Sequence, residues 1–307
     1  MMPELRHLRY LRAVADHGNF TRAAQDLHIS QPTLSQQIQQ LERAIGTQLL
    51  DRSGRSVRLT DAGHAYLAHA RRALRELAAG ERAVHDVTDL SRGHLRLAIT
   101  PTFTAYLVGP LITELHNRHP GITAAVRETT QDSIETQLQA DELDLGIAFD
   151  QPHLPAVTAT PLFAETLVVV VGTTTPTEPL TASAIGHHPL ALLTPDFATR
   201  GHIDAYFAEH RVTPRIAVET NSIQALTEIV RHTPLATVLP DAITRQHPHL
   251  SPVALDPPFP TRTVALLTRQ GAYQTAANRA FTQLTHEYVR AHLASIANVS
   301  ANPTAAR

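Results

Sequence analysis

Cysteine is absent from the 307 residues, which excludes disulfides, thiolate metal sites and a cysteine nucleophile. Lysine is absent as well, because all 26 basic residues are arginine. That removes Schiff-base chemistry and the phosphate-gripping lysine of a P-loop. No apolar run approaches the ~20 residues of a membrane-spanning helix. The N-terminal stretch MMPELRHLRYLRAVADHG threads arginines through its apolar positions, as a signal peptide does not. H-E-x-x-H and G-x-S-x-G motifs are missing too. These absences predict a soluble cytoplasmic protein with no catalytic set, no metal site and no cofactor. Richness in Ala, Arg and His without Lys reflects a GC-rich genome, so the 19 histidines carry little weight individually.

Charge is unevenly spread. Residues 1–92 hold 13 arginines against 10 acids, and residues 93–307 hold 13 against 18. A mildly basic front on an acidic body fits a nucleic-acid module joined to a different one. In the front, Leu5, Leu8, Leu11, Val14 and Ala15 recur at helical spacing, and Gly18-Asn19 ends the helix. A short helix from Thr21 to Leu27 follows, then the tight connection His28-Ile29-Ser30. Ser30 is placed to cap a third helix, with Pro32 in its first turn where a missing N–H costs nothing.

The third helix carries one apolar stripe, Leu34, Ile38, Leu41 and Ile45. Its other faces hold Gln31, Thr33, Ser35, Gln36, Gln37 and Gln40, with scarcely a charge before Glu42. Amides and hydroxyls both donate and accept, as reading base edges in a major groove requires. A short helix joined to such a helix by a tight turn is a helix-turn-helix. The competing reading is an ordinary three-helix bundle with a solvated polar face. Strand-like runs at 49–52 and 56–59 then flank Ser53-Gly54-Arg55. They make a wing carrying Arg52, Arg55 and Arg58, placed for phosphates or a minor groove.

The stretches FTRAAQDLHISQPTLSQQIQQLE and LLDRSGRSVRLTDAG resemble the N-terminal signature of LysR-type transcriptional regulators. The resemblance implies that Gln31, Pro32, Thr33, Ser35 and Gln36 read bases and position the backbone. It makes Arg52 and Arg55 the wing contacts.

From Thr60-Asp61 helix formers run to about Leu90, with Leu67, Ala70, Leu74, Leu77 and Val84 as a narrow apolar seam. Such a helix suits pairing with a second copy better than lying on a globular core. The alternative is a long surface helix packed on its own domain. The family implies that it dimerises and spaces two reading heads on an inverted-repeat site.

Beyond Ser91-Arg92-Gly93, strands and helices alternate, which predicts parallel sheets. The layout resembles the two-lobed type 2 periplasmic-binding-protein fold of LysR-type effector domains. The expected organisation is α/β overall: a winged helix-turn-helix (1–60), a linker helix (61–92) and an effector-binding domain (93–307). Lobe I is expected at 93–163 and 269–300, and lobe II at 164–268. Ligands in such sheets sit at the carboxyl ends of strands, where helix N-termini favour anions. Thr100 and Thr102 fall there after the first strand, Gln131 after the second, and Phe197, Thr199 and Asn221 in lobe II. Taken singly, each hydroxyl is as well explained as a helix cap.

TPTFTAYLVGPL, DELDLGIAF, DFATR, ETNSIQAL and QTAANRAF further resemble regulators of cyanate-handling operons within the family. That implies a small anionic effector such as cyanate, with DNA, a second copy of the chain as dimer or tetramer, and RNA polymerase as the other partners. The tail after Ala294 is expected to be disordered. A cytoplasmic solute-binding protein with an accessory head is the competing class, and an α/β enzyme a third.

Overall fold

The computed structural model describes residues 3–54, 56–88, 93–172, 179–245 and 247–293. Two compact units divide the chain, Met1–His85 and Asp86–Arg307.

In the first unit, α1 (Leu5–His17), α2 (Phe20–Asp26) and α3 (Gln31–Ile45) precede a hairpin of β1 (Leu50–Asp51) and β2 (Arg58–Leu59). Helix α4 (Asp61–Thr88) follows. Each boundary has a local cause. Gly18 and Gly46 end α1 and α3 in the left-handed region, at φ 58° and 81°. Asn19 caps α2 by accepting from the N–H groups of Thr21 and Arg22, and Ser30 caps α3 through the N–H of Thr33. The tight connection leaves His28 at φ 54°.

Leu11, Val14, Leu34, Ile38, Leu41 and Leu49 are fully buried together. Leu5 is not part of this core: it is 38% exposed, and His7 takes its place on the buried face of α1 at 1%. Positions 7, 11 and 14 keep the helical spacing that an apolar-only count assigns to Leu5.

Helix α4, about 42 Å long at 1.5 Å per residue, changes character along its length. Leu67, Ala70 and Leu74 are buried, whereas Leu77 and Val84 are 50% and 68% exposed. Residues 89–92, expected to complete this helix, lie outside the described residues.

The second unit opens with β3 (Gly93–Ile99) and a helical stretch made of α5 (Pro101–Phe103), a π turn (Thr104–Val108) and α6 (Gly109–Arg118). Then come β4 (Ile122–Glu128), α7 (Gln131–Gln139), β5 (Leu145–Phe149), β6 (Val157–Glu165) and β7 (Leu167–Val171). Next are β8 (Leu180–Thr181), α8 (Ala182–His187), β9 (Leu190–Leu193), α9 (Ala198–Glu209), β10 (Ile216–Thr220) and α10 (Ile223–His232). The last elements are β11 (Ala236–Pro240), α11 (Asp241–Thr244), β12 (Ser251–Val253), β13 (Leu255–Asp256), β14 (Arg262–Arg269) and α12 (Ala276–His292).

These strands form two five-stranded sheets, ordered β4-β3-β5-β14-β6 and β10-β9-β11-β7-β12. Both are mixed rather than parallel. The βα units pair in parallel, while β14 runs antiparallel to β5 and β6, and β7 antiparallel to β11 and β12. The chain passes straight from one sheet into the other between β6 and β7, which are separated by Thr166 alone. The lobe boundary shifts accordingly. Val264–Thr268, expected in lobe II, lies in the first sheet, bonded to β5 on one side and β6 on the other. Strand β6 itself carries Pro161, which weakens its strand signal and is tolerated because β6 is an edge strand.

Side chains alternate between the faces of each sheet. Leu95, Leu97 and Ile99 of β3 face α6 and α12, while Ala98 faces Ile134 and Leu138 of α7. In the second sheet, Leu190 and Leu192 face Ile203, Tyr206 and Phe207 of α9; Ala191 and Leu193 share a cluster with Leu226 and Val230 of α10. The carboxyl ends of β3 and β9 meet at the junction between the lobes through Thr102 and Thr199, and those of β3, β4 and β10 line one cavity through Pro101, Glu128 and Ser222. The expected tail after Ala294 lies outside the described residues.

The start of α4 sits close to β1, since a Cβ on Gly63 would lie 2.0 Å from the carbonyl oxygen of Leu49. Gly63→Ala should therefore destabilise the first unit by about 1–3 kcal/mol through forced backbone movement. Urea unfolding monitored through the helical signal measures this, and an unchanged midpoint would contradict the close packing.

Candidate DNA interface and effector site

On α3, Gln31, Pro32, Thr33 and Gln36 are exposed along one side, and Ser35 is half-buried. The Thr33 hydroxyl lies 2.7 Å from that of Ser30, so one of its hydrogen-bonding directions is occupied by the cap. Gln37 and Gln40, of the same polar face in sequence, are half-buried and bonded to each other at 3.4 Å.

The wing is fastened to α3 by Glu42. Its Oε1 accepts from the N–H groups of Leu49 and Leu50 at 3.0 and 3.1 Å, and its Oε2 holds Arg52 at 2.8 Å. The Arg52 guanidinium also lies 5.2 Å from the Phe20 ring centroid. Arg52 is thus engaged inside the head as well as being partly open to solvent. Arg58 faces Asp51 across the hairpin. Hydrogen bonds from the N–H and hydroxyl of Ser53 hold the Asp51 carboxyl below its usual pKa. Arg55 lies outside the described residues.

At the lobe junction, the structure brings Thr102 and Thr199 together, with hydroxyls 2.8 Å apart and both buried. Arg262 reaches Thr199 through Nη1 at 3.1 Å and Glu165 through Nε at 2.7 Å. Its Nη2 lies 2.5 Å from the same Glu165 oxygen, although no acceptor is aligned with its N–H bonds among the described residues. The guanidinium stacks 4.0 Å from the Phe149 centroid, and the Tyr106 hydroxyl donates to the other oxygen of Glu165. Burial, reinforced by the Glu165 charge, pushes the Tyr106 phenol well above its usual pKa, so it remains a donor. Thr100 is also buried, and its hydroxyl has no hydrogen-bond partner among the described residues.

Gln131 and Phe197 line a cavity of about 380 Å³ together with Asp132, Gln151, Asp196 and His202. The cavity lies where α7 and α9 begin, and neither N-cap residue, Thr130 or Phe197, caps its helix through a side chain. The Gln131 side chain is itself committed: its amide accepts from the N–H of Phe149 at 3.1 Å and donates to the Phe149 carbonyl at 3.0 Å. Asn221 is not brought to this group; it is exposed, beside a second cavity of about 360 Å³ lined by Ser222, Gln224 and Glu128. The buried polar arrangement that sequence reasoning missed is Arg262, Glu165 and Tyr106. Their signal was one acid and one arginine at the ends of two apolar strands, where a buried charge demands a partner.

Both units have a counterpart among known proteins. Residues 5–64 match the family described as bacterial regulatory helix-turn-helix protein, lysR family, and residues 88–290 match the LysR substrate binding domain. The chain belongs to the LysR family: it is a DNA-binding transcriptional regulator with an N-terminal winged helix-turn-helix and a two-lobed effector domain, and not an enzyme. It is 31% identical to the nitrogen assimilation regulatory protein nac of Klebsiella aerogenes, over 78% of this chain and 79% of that one. It is 30% identical to the RuBisCO operon transcriptional regulator of Allochromatium vinosum, over 75% and 77%. A full-length OxyR variant from Pseudomonas aeruginosa superposes with a TM-score of 0.70 at 25% identity, covering 97% of each chain. No helix among the described residues is long and apolar enough to cross a membrane.

The pair Arg262–Glu165 is desolvated on both sides, each side chain being 3% exposed. Glu165→Ala should cost the second unit about 3–5 kcal/mol by leaving a buried guanidinium unpaired. Calorimetric unfolding of the full chain reads this, and a change under about 1 kcal/mol would show the pair to be far more hydrated than its burial implies.

Proposed function

We propose that the chain binds an inverted-repeat promoter site as a dimer or tetramer, in contact with RNA polymerase. In this reading the lobe junction senses a small anion, cyanate being the leading candidate, to control a cyanate-handling operon. The observation that carries the anion is the buried Arg262 guanidinium, with an unaligned Nη2 and the hydroxyls of Thr102 and Thr199 nearby. The uncapped N-termini of α7 and α9 favour the same charge sign. Thr100, Thr102, Gln131, Phe197 and Thr199 form the effector set, and Asn221 drops to its periphery. The resemblance of TPTFTAYLVGPL, DELDLGIAF and DFATR to regulators of cyanate-handling operons supports cyanate among small anions. The cavity volume supports a second reading, a larger carboxylate, because about 380 Å³ is far more than a triatomic anion fills.

Gln31, Pro32, Thr33, Ser35 and Gln36 are proposed to meet bases and backbone, with Arg52 and Arg55 on the wing. Leu77 and Val84, exposed on the outer half of α4, are proposed to pair with a second copy.

Two experiments test this. Thr33→Ala should relax base preference by about 1–3 kcal/mol, whereas Arg55→Ala should weaken binding to all sequences and lower the salt slope by about one. Gel-shift titrations on upstream fragments separate them, and uniform weakening by both variants would refute these roles. For the effector, melting scans compare cyanate, azide, bicarbonate and small carboxylates. A ligand at about 100 times its Kd should stabilise by ~2.7 kcal/mol. A shift with a larger acid and none with cyanate would discard cyanate.

A further inference from the structure

His7 is the one buried histidine of the first unit among the described residues, and its two nitrogens face different elements. Its Nδ1 accepts from the backbone N–H of Glu4 at 3.0 Å, at the start of α1. An accepting Nδ1 carries no proton, so the ring proton of the neutral imidazole sits on Nε2. Nε2 lies 3.1 Å from Oε1 of Gln37, thirty residues away on α3. The ring therefore donates to Gln37, which orients the Gln37 amide nitrogen toward Oε1 of Gln40 at 3.4 Å. The polarity of the chain is fixed from end to end: Glu4 N–H to His7, His7 to Gln37, Gln37 to Gln40.

Elsewhere α1 and α3 share an apolar cluster that includes Leu11, Val14, Leu34, Ile38 and Leu41. Apolar packing of this kind is non-directional and tolerates a small roll or slide of one helix on another. A hydrogen bond such as that between His7 and Gln37 does not, because it weakens steeply with misalignment. Gln37 follows Gln36 directly and lies one turn beyond Thr33, so any roll of α3 displaces the exposed side chains on which the proposed base contacts rest.

We infer that His7 is a positioning residue for DNA reading: its Nε2–H, by holding Gln37, sets the rotation of α3 and with it sequence discrimination. The inference rests on α3 being the reading helix.

The test uses full-length protein, the upstream fragment that wild type binds most tightly, and a scrambled duplex at the same salt. His7→Asn keeps an acceptor for the Glu4 N–H but falls short of Gln37. It should lower the ratio of specific to non-specific affinity about fivefold to tenfold, the worth of one net hydrogen bond. Gln37→Leu should give a similar loss, and the double variant no more than either alone. His7→Gln, long enough to reach Gln37, should keep the ratio even where it loses the Glu4 contact and melts earlier. Equal loss of specific and non-specific binding, multiplying losses in the double variant, or wild-type discrimination by His7→Asn would overturn the inference. Thr33→Ala runs alongside: if it alone alters discrimination, only the role of His7 fails. If neither variant does, α3 is not the reading helix and both fall.

Discussion

The ion pair between Arg262 and Glu165 governs the second unit. The two residues face each other in register where β14 enters the first sheet and β6 leaves it, so the pair marks the place where the chain crosses between lobes. Neither charge is solvated, and each is compensated by several partners: Glu165 by Arg262 and Tyr106, Arg262 by Glu165, Thr199 and the Phe149 ring. A pair so buried gives little net stability compared with well-packed apolar residues, but it is severe toward any arrangement that separates its members. Movement of one lobe against the other must keep Thr199 near Arg262 or replace that contact with another acceptor. An anion is such an acceptor, and the proposed effector response follows from this: the ligand would compete for donors that now tie the lobes together.

The first unit solves a smaller version of the same problem with Glu42. One carboxylate takes two backbone N–H groups of the wing and the Arg52 guanidinium. A carboxylate with several donors at fixed positions orients its surroundings more strictly than apolar contact does. Glu42 fixes the wing to α3, and His7 fixes α3 to α1. Polar groups facing inward thus set the geometry of a surface whose outward polar groups are proposed to meet DNA.

Elements whose causes are local were legible in the sequence. Ser30 and Pro32 start α3 through capping and a free first-turn position, both readable within four residues. The alternation in HLRLAIT, residues 94–100, is likewise local and falls on β3. The face of α1 was misread because apolar counting overlooked a histidine whose two nitrogens are satisfied by groups three and thirty residues away. Pro161 weakens the strand signal of β6, and its cost depends on an edge position that only sheet order reveals.

For the sites, sequence by itself determined the family, the polar face of α3 and the polar residues at the strand ends, because those follow from residue type and short-range spacing. Only the tertiary structure decided that Gln131 is tied to the Phe149 backbone, that Arg52 is shared with Glu42 and Phe20, and that Asn221 stands apart. It also supplied Arg262 and Glu165, separated by 97 residues and joined across β14 and β6. Spacing along a chain cannot specify such a pair. It exists because two strands, brought together by the burial of their apolar neighbours, set two opposite charges face to face, with Tyr106, Thr199 and the Phe149 ring as their further partners.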